Sequence, residues 1–121
     1  MAENVNSMLS DESCEVCHSD ASSMTDTELS DLHVQVSDWS KGDIDGTPCI
    51  GRQFGFDSYR EALDFVVRVG VLAEHYNHHP RIVLEWGKAS VTWWTHAISG
   101  LHRNDFIMAA KTDLLVLNKK Q

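Results

Sequence analysis

Ala62, Leu63, Val66, Val69, Gly70 and Ala73 recur at the three- and four-residue spacing of one helix face, and Phe65 and Leu72 widen the stripe. Asp57 ahead of it can cap a helix, with Glu61 placed in the first turn. The helix should run to about Asn77, because Pro80 disfavours helical geometry at His79. Such a stripe has to be buried against a second apolar layer. The flanking segments supply one. Residues 37–56 are extended and punctuated by Gly42, Asp45-Gly46 and Pro48, which predicts a short strand near Trp39, a turn at Asp45-Gly46 and a strand over 48–56. In that strand Ile50, Arg52, Phe54 and Phe56 share one parity.

After Pro80, "RIVLEWGKASVTWWT" reads as a hairpin turning at Gly87-Lys88. On its second strand Ala89, Val91 and Trp93 face one way, and Ser90, Thr92, Trp94 and His96 the other. Upstream, Thr25 and Glu28 form a capping box for a helix over about 26–36. Downstream, Asn104 or Asp105 can start a last helix in which Phe106, Met108, Ala109, Leu114 and Leu117 would be half-buried. The predicted order is α-β-β-α-β-β-α. Strand pairs separated by a helix imply an α+β fold, an antiparallel sheet carrying helices on one face.

The 121 residues suit one domain, and a net charge of −8 argues against direct contact with nucleic acid or an anionic membrane. No apolar run is long enough to span a bilayer, and the N-terminus shows no secretory pattern, so the cytoplasm is the expected compartment. Residues 1–24 contain five acidic residues and no Lys or Arg, which reads as a flexible tail ahead of a domain over 25–121. Cys14, Cys17 and His18 match the C-x-x-C-H pattern of haem attachment. That attachment requires export, and the acidic segment offers no apolar wall for a haem, so two incidental thiols are expected.

The chemistry concentrates in "EHYNHHP", residues 74–80. Glu74 and His78 are four apart on one helix face, so the carboxylate can orient the imidazole for acid–base work. His75 and His79 are also four apart and could make half of a metal site, and the metalloprotein reading uses His75, His78, His79 and Cys14 or Cys17. Histidines at a helix end can equally do no more than complement the dipole. The spacing alone leaves these three readings open. His96 just past a strand end, with Trp94 on the same face, adds a candidate surface for a flat aromatic ligand.

The gapped pattern Glu74, His78-His79-Pro80, His96, Asp105, set within "RQFGF", "AEHYNHHP" and "VTWWTHAISGLHRND", resembles the pterin-4a-carbinolamine dehydratase family over residues 25–118. The resemblance implies a four-stranded antiparallel sheet with helices on one face, in a homodimer or homotetramer. It implies dehydration of a 4a-hydroxytetrahydropterin to the quinonoid dihydropterin, catalysed by His78, His79 and His96 with no cofactor or metal. In this reading Glu74 orients His78, Asp105 holds His96 or its loop, and Asn77, Pro80, Trp94 and Thr95 line the pterin site. Ile82 and Asn104 stand where many members have Trp and Arg. The same family implies an alternative, a non-catalytic dimerisation or assembly module.

Overall fold

A computed structural model of the chain describes residues 9–12, 24–98 and 100–119, with side chains described to residue 116. Among these residues three α-helices and four strands follow in the order α1 (Asp26–Gln35), β1 (Ser40–Ile44), β2 (Thr47–Gly55), α2 (Tyr59–Tyr76), β3 (Arg81–Glu85), β4 (Lys88–Trp93), α3 (Arg103–Lys119). The strands make one antiparallel sheet ordered β1-β2-β4-β3. The expected α+β architecture is therefore observed.

Register explains which face is buried. Ile50 lies opposite Trp93 and Phe54 opposite Ala89, while Ile82 and Leu84 oppose Val91 and Ala89. These residues share a sheet face because neighbouring strands keep their pleats in phase. Against that face α2 sets Ala62, Phe65, Val69 and Ala73, and all four are buried. Trp39 and Phe54 meet edge to face at 5.9 Å, and Phe54 lies 4.7 Å from Phe65. On the opposite sheet face Ser90 and Thr92 are only half-buried and Gln53 is exposed. Among the described residues no helix is long and apolar enough to cross a membrane.

Local chemistry sets the boundaries. Thr25 and Glu28 make both bonds of the expected capping box. The turn at Asp45-Gly46 carries positive φ at both residues, the geometry of a two-residue type I′ hairpin. The second hairpin turns one residue earlier than expected, at Trp86-Gly87, because Lys88 already pairs with Glu85 in the ladder and Gly87 takes the positive φ. Ser58, not Asp57, caps α2 by accepting from the Glu61 N–H at 3.1 Å. Replacing Ser58 by Ala is expected to cost about 1 kcal/mol, visible as a lower urea midpoint with unchanged slope.

Helix α3 begins at Arg103, just before the expected starts at Asn104 or Asp105, and is more deeply set than expected. Phe106, Ile107, Met108 and Ala109 are consecutive and buried. The first turns of α3 sit between the sheet end, α2 and a 3-10 turn at Leu9–Asp11. Farther along, Leu114 is exposed rather than half-buried, and Leu117 lies beyond the described side chains. Asp113 accepts from Trp39 Nε1 at 3.0 Å and Arg52 Nη1 at 2.8 Å, fastening α3 to β2 and to the residue just ahead of β1. Burial holds the Asp113 carboxyl above its ordinary range in spite of both donors.

Within the segment expected as a tail, residues 9–12 pack on α3. Leu9 is buried in the core, Lys111 Nζ donates to the Ser10 carbonyl at 2.7 Å, and Arg103 grips Glu12 with two bonds of 2.9 and 2.7 Å. The apolar burial and a bidentate ion pair offset the ordering entropy that residues of this composition otherwise oppose to docking. Cys14, Cys17 and His18 lie outside the described residues.

Candidate active site

The end of α2 decides how the histidines point. Asn77 takes a left-handed conformation with φ of 53°. The His78 N–H reaches back to the Ala73 carbonyl at 3.1 Å and the Asn77 N–H to Glu74 at 3.3 Å, the bonding pattern of a Schellman motif. His78 thereby leaves the helical face that Glu74 occupies. Its ring turns inward, stacks on Trp93 at 5.6 Å and 3°, and donates from Nε2 to Asp105 Oδ1 at 2.7 Å. The expected Glu74–His78 pair is not formed. Glu74 Oε2 instead accepts from His79 Nε2 at 2.6 Å, out on the surface. An i,i+4 pairing presumes that the helix continues through both residues, and this one stops at Tyr76.

Asp105 is fully buried and collects three donors: His78 Nε2, the Thr95 hydroxyl at 2.8 Å and the His102 N–H at 2.9 Å. The hydroxyl bond ties down the residue just before His96. Thr95 and Gly100 also close the loop with bonds of 2.7 and 3.3 Å. Asp105 thus holds the His96 loop through Thr95 and not through the His96 ring. The imidazole of His96 is exposed and stacks on the half-buried Trp94 at 4.8 Å.

Strand pairing brings the two halves of the pattern to one end of the sheet. The β3–β4 ladder starts at Arg81 opposite Thr92. His79 and Pro80 immediately precede it on one side, and Trp93, Trp94 and Thr95 follow on the other. The predicted residues Glu74, Asn77, His78, His79, Pro80, Trp94, Thr95, His96 and Asp105 therefore lie at this end of the sheet. His75 is not part of the hydrogen-bonded set and lies edge-on to Tyr76. Among the described residues no three His, Cys, Asp or Glu converge as a metal-ligand set.

Asp105 engages one of the two ring nitrogens of His78. Among the described residues no buried side-chain nitrogen or oxygen lacks a partner. Nε2 is the His78 atom bonded to Asp105, and Nδ1 is not part of that bond. A carboxylate fixing one nitrogen and thereby the tautomer of the other is a recurrent means of preparing an imidazole for proton transfer.

Two participants were not anticipated. Trp93 packs flat on His78, although strand alternation places it on the face away from Trp94. His102 caps α3: its Nδ1 accepts from the Asn104 N–H at 3.1 Å while Asp105, three residues on, accepts from its backbone N–H. This is a variant of the capping box in which an imidazole serves the second rather than the third helical N–H, and the polar-x-x-acid spacing of His102 and Asp105 is the signal for it.

A family model described as pterin 4 alpha carbinolamine dehydratase matches residues 22–115. A protein of Gloeobacter violaceus provisionally named pterin-4-alpha-carbinolamine dehydratase 1 is 50% identical over 107 residues, covering 88% of this chain and 92% of its own. A similarly named protein of Syntrophotalea carbinolica is 49% identical over 108 residues, 89% of this chain and 96% of its own. Among solved structures, a transcriptional coactivator/pterin dehydratase from Brucella melitensis superposes with a TM-score of 0.69 at 26% identity, covering 78% of this chain and 98% of that one. A pterin dehydratase-like protein described as a RuBisCO assembly factor of the alpha-carboxysome shares the fold with a TM-score of 0.55 at 23% identity, over 64% of this chain and 87% of that one.

Proposed function

Because the chain belongs to the pterin-4-alpha-carbinolamine dehydratase family, we propose that this site removes water from a 4a-hydroxytetrahydropterin by histidine acid–base catalysis and so returns the pterin to its recycling route. The observation that supports this most is the junction at Asp105, which fixes the His78 imidazole and the loop of His96 from a single buried carboxylate.

The chemistry needs one proton delivered and one removed. The C4a hydroxyl leaves as water once protonated, the N5–H proton goes to a base, and the N5 electron pair forms the C4a–N5 double bond of the quinonoid product. His78, held by Asp105, transfers one of these protons through Nδ1. His96, on the other side of the ladder end, transfers the other. Each such group contributes typically about 10²- to 10⁴-fold. His79 binds the substrate, with its ring steadied by Glu74, and Trp94 offers a flat surface beside His96. The acidic protein acts as a homo-oligomer in the cytoplasm without contacting nucleic acid.

Titrating the protein with a stable 7,8-dihydropterin while recording histidine imidazole resonances tests the site. His78, His79 and His96 should shift together and His33, distant on α1, should not. Binding that moves none of the three would place the pterin elsewhere. The alternative is a non-catalytic assembly module. The structural relative described as an assembly factor shares the fold at 23% identity, which speaks for fold alone, and a scaffold has no need of a buried carboxylate that orients an imidazole.

A further inference from the structure

We infer that the N-terminal turn at Leu9–Asp11, with Glu12, is a positioning element for the His78–Asp105 pair, and that Glu12 is its active residue. This rests on the dehydratase reading for its kinetic consequence and on geometry for the rest. Arg103 is the first residue of α3, and Asp105 stands two positions on. Helix ends fray because their first N–H groups lack intrahelical acceptors. Here that end must stay in place, since Asp105 Oδ1 and Oδ2 must meet His78 and Thr95 at 2.7 and 2.8 Å simultaneously.

The turn clamps this end at two points. Glu12 takes the Arg103 guanidinium in a two-bond fork, and Ser10 takes Lys111 two helical turns farther on, while buried Leu9 anchors the segment between them. A cation at a helix N-terminus is disfavoured by the helix dipole. Glu12 offsets that penalty for Arg103 beside the carboxylate on which the site depends. Arg103, foremost through its hydrogen bonds, holds the Glu12 carboxyl below its ordinary value of 4.5. A depressed carboxyl contributes stability that is fully present above that ordinary value and lost as pH falls through the depressed one. The clamp is therefore intact at neutral pH.

The test is Glu12→Gln in the full chain, with Glu12→Asp as the variant that keeps the carboxylate, assayed well below the unfolding midpoint. Glu12→Gln should lower kcat roughly tenfold with KM unchanged, within the 100-fold that a displacement of about 1 Å can cost. The His78 imidazole resonances should shift in the same variant, and Glu12→Asp should restore most of the rate. A Glu12→Gln protein with a lower unfolding midpoint but wild-type kcat and wild-type His78 resonances would overturn the inference and leave the turn a simple stabiliser. A wild-type protein inactive on the pterin would sink the functional reading instead, and the His78 resonances alone would then decide the positioning role.

Discussion

Replacing Asp105 by Ala is expected to lower the free energy of unfolding by about 3 kcal/mol or more, since each buried donor left without an acceptor costs about 1–3 kcal/mol. Three donors lose their acceptor at once: the His78 ring, the Thr95 hydroxyl and the His102 N–H. The carboxylate is fully buried, so water does not replace it cheaply. Asp105→Asn should cost less, about 1–3 kcal/mol, because its carbonyl oxygen still accepts while its amide confronts a donor. Urea unfolding of the three proteins reads both numbers. A loss below about 1 kcal/mol for Asp105→Ala would mean the hub is not the support described here.

The histidines should separate into distinct phenotypes. His96→Ala is expected to lower the dehydration rate by about 10²- to 10⁴-fold with unfolding unchanged, because its ring is exposed and stacks only on the neighbouring Trp94 among the described residues. His78→Gln should lose rate to a similar degree while its amide retains a donor for Asp105. His78→Ala should lose stability as well, since it strips the buried carboxylate of one partner and Trp93 of its stacked ring. His79→Ala should act mainly on KM. Single-turnover rates alongside denaturation curves distinguish these outcomes, and wild-type rates in both His96→Ala and His78→Gln would remove the acid–base assignment.

Much of the scaffold was legible in local chemistry. The α2 stripe, the Thr25–Glu28 capping box, the Asp45-Gly46 turn and the strand parity of Ala89, Val91 and Trp93 each depend on residues within a few positions of one another, where propensity and spacing act directly. The candidate residues do gather at one end of the sheet, but their pairings were not legible. Asn77 is a known left-handed helix terminator, yet its effect on His78 and Glu74 emerges only when the chain leaves the helix. His78 finds Asp105 twenty-seven positions away, a contact that no periodicity encodes. Leu9 reads as one apolar residue in an acidic segment, and only the cleft beside α3 gives it somewhere to go.

The central claim meets its most direct test in the rate at which purified protein converts a freshly generated 4a-hydroxytetrahydropterin to the quinonoid dihydropterin, against the spontaneous reaction under the same conditions. The structure predicts acceleration proportional to protein concentration, lost in a His78→Gln/His96→Ala double variant that remains folded. A rate equal to the spontaneous one with the wild-type protein, or an acceleration that survives the double variant, would contradict it.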